Sequence, residues 1–131
     1  MALTGANVAR CEAELGRFEE AAARLEAIRA ECREHGIAQF DAALRQTIAG
    51  VRDVQGRRHL ALKLFREILT TRPMVAAKSR VEALVAVSAT LAALDSFPAA
   101  LRVLQQESAW MEGLDDPLLL LEYRTELGGR L

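Results

Sequence analysis

The sequence predicts an all-α fold, and three observations support this prediction. Apolar and small residues recur at helical spacing, as at Ala21, Leu25, Ile28 and Cys32. Prolines number only three, and the chain has no runs of alternating β-branched or aromatic residues, so strands have little support. With 51% hydrophobic and 27% charged residues over 131 positions, the composition is that of one globular domain.

Charge and cysteine content exclude several classes of function. Seventeen basic and eighteen acidic residues give a net charge of −1, which creates no field that would attract nucleic acid or an anionic membrane. Cys11 and Cys32 are too few for a disulfide scaffold and are predicted to be free thiols. Charged residues interrupt the apolar stretches before they reach the length of a membrane span or a signal peptide. We therefore expect a cytoplasmic protein with no membrane or nucleic-acid partner.

Glycine and proline positions divide the chain into seven predicted helices. Gly36, Gly56 and Gly113 each follow a helical stretch, where glycine easily adopts the left-handed conformation that ends a helix. Pro98 and Pro117 follow polar capping residues, and proline suits the first turn of a helix. Short breaks make consecutive helices antiparallel neighbours. The predicted helices span residues 3–15, 18–35, 38–55, 58–71, 74–94, 97–112 and 117–127.

Three segments of the chain share one pattern. Each begins with a tight-turn residue, followed at fixed distances by an alanine, a bulky apolar residue and another residue of the same helix face. The alanines Ala21, Ala61 and Ala100 are separated by 40 and then 39 residues. A small residue at this position lets two antiparallel helices approach closely. The segments are Gly16, Phe18, Ala21, Leu25, Ile28; Gly56, Arg58, Ala61, Phe65, Ile68; and Asp95, Phe97, Ala100, Leu104, Glu107.

This pattern resembles the tetratricopeptide repeat family, in which a small residue ends the first helix of a pair and an aromatic residue opens the second. Residues 15–21 match it closely, and residues 56–73 match the second helix through its terminal proline. The resemblance implies a right-handed α–α superhelix, or solenoid, of about three helical hairpins plus a C-terminal helix. One domain is expected over residues 1–131, with repeats at about 2–37, 38–73 and 74–113 and a terminal helix at 117–127.

The pattern departs from the family in its period and at three positions. The usual period is about 34 residues, so this chain resembles the long-helix variety found in bacterial regulatory proteins. Arg58 replaces the expected aromatic residue, and Asp95 and Glu107 replace a glycine and a small residue. HEAT-type repeats also have periods of about 40 residues and remain an alternative architecture.

The resemblance further implies that the first helix of each hairpin lines a concave groove. Most residues at the matching positions are small or apolar, which leaves room for a helix or an extended peptide of another protein. The alternative is that these residues are small only for helix packing. The lysine and asparagine clamp with which some relatives hold a C-terminal carboxylate has no equivalent here. The implied groove residues are Ala6, Arg10, Ala13, Ala43, Gln46, Gly50, Asp53, Glu82, Val85, Ala89 and Ala92.

The last predicted helix carries apolar residues on all sides, at Leu118, Leu119, Leu120 and Leu121. A free-standing solenoid normally ends in polar capping surfaces. We therefore expect either that residues 1–131 are part of a longer protein or that this face forms a homodimer with a second copy. In either case Trp110 and Met111 should pack on these leucines.

No catalytic residue, metal site or cofactor is predicted. Cys32 and His35 lie three residues apart on one predicted helix, but a second pair of metal ligands is missing. No nucleophile or carboxylate stands in a pattern that would tune it for catalysis. A basic cluster could contact an acidic partner, but we favour a solvated turn and outer helix face whose charge is balanced by Asp53 and Glu67. This cluster comprises Arg57, Arg58, His59, Lys63 and Arg66.

These observations predict a protein–protein interaction scaffold that is not an enzyme. The scaffold would bind a peptide or helix through its groove or its terminal apolar face. The alternative is a sensory or regulatory domain of a bacterial signalling protein that controls an attached output such as a diguanylate cyclase.

Overall fold

The computed structural model describes residues 2–38, 40–70 and 76–130, and within this part of the chain it contains helices and no strands. The all-α prediction is therefore confirmed for the described residues. None of their helices is long and apolar enough to cross a membrane. The eight helices are α1 (Ala2–Glu14), α2 (Phe18–Glu34), α3 (Asp41–Val54), α4 (Arg58–Thr70), α5 (Ala77–Ala93), α6 (Phe97–Gln106), α7 (Ser108–Glu112) and α8 (Pro117–Arg130).

The chain divides into two compact units, Met1–Leu64 and Phe65–Leu131. In the first unit α1 packs on α2, α2 packs on α3, and α1 also contacts α3. In the second unit α5 packs on α6, and α8 contacts α5, α6 and the short α7. α3 in the first unit and α8 in the second therefore each contact both helices of the hairpin before them.

The turn between α1 and α2 has a defined geometry. The amide of Gly16 donates to the Ala13 carbonyl at 3.0 Å, and the amide of Arg17 donates to the Glu12 carbonyl at 2.8 Å. Gly16 has a φ of 82°, in the left-handed region. These two bonds around a left-handed residue form a Schellman motif, which satisfies carbonyls that the end of a helix leaves unpaired.

The same motif recurs at the two other turns of the predicted repeat. Gly56 has a φ of 90° and Asp95 a φ of 61°. Asp95 has the only positive φ among the described residues other than glycine, and it stands where the repeat predicts a glycine. The corresponding amide-to-carbonyl bonds run from Gly56 to Asp53, from Arg57 to Arg52, from Asp95 to Ala92 and from Ser96 to Leu91.

The alanine that follows each turn is completely buried. Ala21, Ala61 and Ala100 all have 0% exposure. The bulky residue four positions later is also buried in each case, as Leu25, Phe65 and Leu104. The three segments therefore share a turn geometry and a buried alanine, whereas the handedness of a superhelix stays a prediction.

The predicted helix 97–112 is wrong because it consists of two helices, α6 and α7, separated at Glu107. The break weakens the backbone hydrogen bonding of the last turn of α6, where the amide of Glu107 lies 3.3 Å from the Leu104 carbonyl. The buried hydroxyl of Tyr123, on α8, donates to the same carbonyl at 2.8 Å. A side chain 19 residues away thus satisfies this carbonyl, and local sequence patterns cannot reveal it.

A second contact fixes the break from the side of α5. Arg80 donates through Nη2 to Glu107 Oε2 at 2.9 Å, and its guanidinium lies 4.9 Å from the centre of the Trp110 ring. Its Nη1 also donates to the Leu69 carbonyl at 3.4 Å. A charged hydrogen bond and a cation–π contact on one side chain together hold α7 against α5.

Several predicted helix ends are also corrected. The last helix continues to Arg130, so it includes Gly128 and Gly129, which we had placed after its end. Arg130 accounts for this continuation, because its Nε lies 3.1 Å from Ser88 Oγ on α5. α3 begins at Asp41 and not at 38, α5 begins at Ala77 and not at 74, and Pro73 and Met74 lie outside the described residues.

The predicted polar cap is present before Pro117 but not before Pro98, and one of the predicted glycine helix ends differs in its backbone conformation. Asp116 caps α8 as expected, since its Oδ1 accepts from the amides of Leu118 at 3.0 Å and Leu119 at 3.2 Å. Ser96 precedes α6 but makes no side-chain capping bond. Gly113 does end α7, yet with a φ of −85° it is not left-handed.

Replacing Gly56 with alanine should destabilise the protein by about 1–2 kcal/mol, because the left-handed conformation is unfavourable for a residue with a Cβ. A Cβ added at Gly56 would meet no described atom within 4 Å, so the loss of stability would come from the backbone conformation and not from a steric clash. Conversely, Asp95→Gly should be neutral or stabilising by up to about 1 kcal/mol. Urea denaturation followed by circular dichroism measures both, and equal effects of the two substitutions would contradict this account of the turns.

Replacing Tyr123 with phenylalanine should lower the free energy of unfolding by about 1–2 kcal/mol, because it leaves the Leu104 carbonyl without its side-chain donor. Thr125→Val is a matched control, since it removes an exposed hydroxyl from the same helix. The same denaturation experiment compares the two variants. A midpoint for Tyr123→Phe equal to that of the control would show that the bond does not stabilise the break.

Candidate functional site

The predicted groove positions of the first unit lie on α1 and α3, which are in contact. On α1, Arg10 is exposed and Ala13 is buried in the hydrophobic core, while the side chain of Ala6 lies outside the described part of the structure. On α3, Ala43 is exposed. The remaining α3 positions are half-buried and comprise Gln46, Gly50 and Asp53.

The positions Gln46, Gly50 and Asp53 are spaced four and three residues apart, so they share one face of α3. The atoms Gln46 Oε1 and Asp53 Oδ1 are buried and have no hydrogen-bond partner among the described residues. The nearest cation to Asp53 Oδ1 is Arg58 Nε, at 3.8 Å. A Cβ added at Gly50 would meet no described atom within 4 Å. This face therefore combines two unused acceptors with open space.

The predicted groove positions of the second unit lie along α5. Glu82, Val85, Ala89 and Ala92 are spaced three, four and three residues apart, which again places them on one helix face. Ala89 is exposed and the other three are half-buried. The face is mainly apolar and contains one carboxylate.

The leucines at the start of α8 fall into two groups. Leu119 and Met111 belong to one buried cluster, against which Trp110 and Leu120 pack, as expected from the sequence. By contrast, Leu118 is 77% exposed and Leu121 is 61% exposed. The apolar residues thus serve the core on one side of α8 and face solvent on the other.

Carboxylates gather where α8 meets α5. Burial raises the pKa of Glu122, and the nearby Glu82 carboxylate raises it further. Lys78 lowers the pKa of Glu122 and Glu126 raises it again. The Lys78 Nζ lies 4.0 Å from Glu82 Oε1, so this ammonium serves both Glu82 and Glu122, whereas Glu126 is paired with Arg130 at 2.5 Å.

Arginine–carboxylate pairs join helices at several other edges, and the sequence pattern did not reveal them. They connect positions 12 or more residues apart, where the chain offers no local spacing rule. Glu19, for example, lies in the first turn of α2, where local sequence rules indicate only a favourable charge at a helix start. Among the described residues, the pairs of this kind with contacts of 3.0 Å or less are Arg24 to Glu12 at 2.5 Å, Arg124 to Glu112 at 2.6 Å, Arg52 to Glu19 at 2.8 Å, Arg80 to Glu107 at 2.9 Å and Arg29 to Asp41 at 3.0 Å.

The structure does not bring the cysteines and the histidine considered as metal ligands together. Cys32 is buried, whereas His35 and Cys11 are exposed. In the described ranges, no group of three or more histidines, cysteines, aspartates or glutamates is close enough to hold a metal ion. Within the basic cluster, Arg57 lies 3.8 Å from Glu19 Oε1, and Arg58 lies near Asp53. These carboxylates partly neutralise its charge.

Comparison with known proteins adds no family assignment. No protein-family model matches the chain, and no curated protein is significantly similar to it. The function is therefore inferred from the helix faces and charges described above.

Acidification should destabilise the protein partly through Glu12, which is only 9% exposed. The hydrogen bond from Arg24 holds the pKa of Glu12 below its ordinary value of 4.5. A carboxylate with a lowered pKa in the folded state stabilises it above the unfolded pKa, and this contribution disappears as pH falls through the folded pKa. Denaturation midpoints measured from pH 6 down to about pH 3 should thus fall less steeply in Glu12→Gln than in the wild type.

Glu14→Gln is the matched control for this measurement, because Glu14 is an exposed carboxylate on the same helix. It should keep the wild-type pH dependence. If Glu12→Gln and Glu14→Gln change the slope equally, the Arg24–Glu12 pair is not its source.

Proposed function

We propose that this chain is a protein-interaction module of tetratricopeptide-like helical hairpins, which binds a peptide or helix of another protein and catalyses no reaction. The observation that carries the proposal is the recurrence, at intervals of 40 and 39 residues, of a left-handed turn followed by a fully buried alanine. Arrays of such hairpins contact mainly their neighbours and offer long helix faces for binding.

Packing within each unit supports the proposed superhelix. Contact between α1 and α3, and between α5 and α8, places the first helix of one hairpin beside the first helix of the next. A right-handed solenoid with a concave surface of first helices requires this neighbour relation. We infer that in each unit these helices form a binding surface.

The faces of α3 and α5 offer different chemistry to a ligand. A glycine within a helix is unfavourable by about 1 kcal/mol relative to alanine, and no close contact with a described residue accounts for it at Gly50. Gln46 Oε1 and Asp53 Oδ1, which have no hydrogen-bond partner among the described residues, can accept hydrogen bonds from backbone amides or a basic side chain of a ligand. Val85 and Ala89 on α5 offer an apolar surface for its aliphatic side chains.

Enlarging the groove positions tests this proposal. Gly50→Trp and Ala89→Trp should each reduce recovery of partner proteins at least about tenfold, because an indole ring would fill the space that the ligand needs. Neither change should unfold the protein, since Gly50 has open space beside it and Ala89 is exposed. Quantitative affinity capture with the wild-type chain as bait measures recovery, and circular dichroism verifies folding.

Ala30→Trp is the control, since Ala30 is exposed on α2 and lies outside the proposed groove. Recovery of partners should match the wild type in this variant. Wild-type recovery in both groove variants would contradict binding along α3 and α5.

A further inference from the structure

α8 presents an unoccupied stripe on the side opposite its buried residues. Leu119 and Tyr123 anchor its inner side in the core of the second unit. The exposed stripe is formed by residues spaced three, four and three positions apart, which fall on one face of a helix. Its members are Leu118, Leu121, Thr125 and Gly128, all of them exposed. A helix that is apolar on two opposite sides is typical of one packed between two neighbours.

The glycine in this stripe differs from a glycine that packing explains. In α1, a Cβ added at Gly5 would lie 2.6 Å from Ile28 Cδ1, so close contact with α2 requires the missing side chain. A Cβ added at Gly128 or Gly129 would meet no described atom within 4 Å. Helix-interior glycines are unfavourable by roughly 0.5–1 kcal/mol relative to alanine. On α8 no described contact requires a glycine at these positions. The missing side chain at Gly128 leaves room for a close helix neighbour.

The edge of the stripe carries one more carboxylate than cation, because Lys78 lies 4.0 Å from Glu82 and Arg130 pairs with Glu126 at 2.5 Å. Glu122 is exposed beside Leu118 and Leu121, and the groups that face it are Glu82 and Lys78 on α5 and Glu126 on its own helix. At other helix contacts in the described part of the chain, an arginine lies against a carboxylate at 2.5 to 3.0 Å. At Glu122 the facing cation is Lys78, which also lies 4.0 Å from Glu82 Oε1.

We propose that this stripe, with Glu122 at its edge, is the docking site for an amphipathic helix of a partner protein. That helix lays small and aliphatic side chains on Leu118, Leu121 and Gly128 and brings an arginine to Glu122. The surface differs from the groove proposed above, so each can fail without the other. An arginine there replaces the repulsion among the carboxylates with a charge-assisted hydrogen bond.

The chain itself contains an example of such a helix. α2 packs on α1 through buried Ala21 and Leu25. At the edge of this contact Arg24 donates to Glu12 at 2.5 Å. The proposed occupant therefore needs an alanine, a leucine four residues later and an arginine between them, next to the leucine.

A second copy of α8 fits the stripe less well than such a helix. In an antiparallel pair, Leu118 would lie opposite Gly128 of the other copy, but the two Glu122 carboxylates would meet on one side of the seam and repel each other. The homodimer expected from the sequence thus becomes an alternative that the experiment must separate.

Fluorescence anisotropy with a labelled synthetic peptide of residues 17–34 as the probe tests the proposal on the full chain. The peptide should bind saturably, and Leu121→Asp should weaken binding at least about tenfold. A peptide carrying Arg24→Glu should bind the wild-type chain roughly tenfold more weakly, and Glu122→Lys in the protein should restore its affinity. Binding that is unaffected by Leu121→Asp, or that the charge exchange does not restore, overturns the proposal.

Leu15→Asp is the matched control, because Leu15 is 71% exposed and lies outside α8. It should bind the peptide as the wild type does. Sedimentation velocity of the chain without peptide tests whether a second copy of the chain occupies the stripe. A dimer that Leu121→Asp dissociates would show that a second copy covers the stripe and would overturn the proposal.

Discussion

The fold depends on one constraint, which is the close approach of two antiparallel helices that are joined by a turn of only three residues. At Gly16, Gly56 and Asp95 the chain leaves one helix and enters the next within three residues, which requires a left-handed backbone at the turn. The alanine five residues later is then completely buried, because the two helices are close together at that level. Core packing beyond each turn follows from this geometry.

The sequence predicted this part of the fold because the interactions involved are local. A turn residue and an alanine at fixed spacing are visible in the chain, and so was the capping of α8 by Asp116. The break at Glu107 was missed because Arg80 and Tyr123 produce it from distant positions. The continuation of α8 through two glycines was missed for the same reason, since Arg130 bonds to Ser88 across 42 residues.

The candidate binding surfaces were predictable to a similar extent. Helical spacing groups Gln46, Gly50 and Asp53 on one face, but it could not reveal that Gln46 Oε1 and Asp53 Oδ1 are buried without a hydrogen-bond partner among the described residues. The sequence pattern also did not distinguish among the four leucines of α8, although Leu119 is in the core and Leu121 is exposed. Periodicity identifies a face, whereas burial and charge depend on which helix covers it.

The three turns also determine where the chain tolerates changes in length. The residue after each left-handed position already precedes the next helix, so one inserted residue would rotate all later side chains by about 100° around the axis. Such a rotation would turn the buried alanine and leucine seam toward water. Insertions and deletions during evolution should therefore accumulate in the links that follow α2 and α4, which join one hairpin to the next. A repeat of this kind can change its period, as from 40 to 39 residues here, without altering its turns.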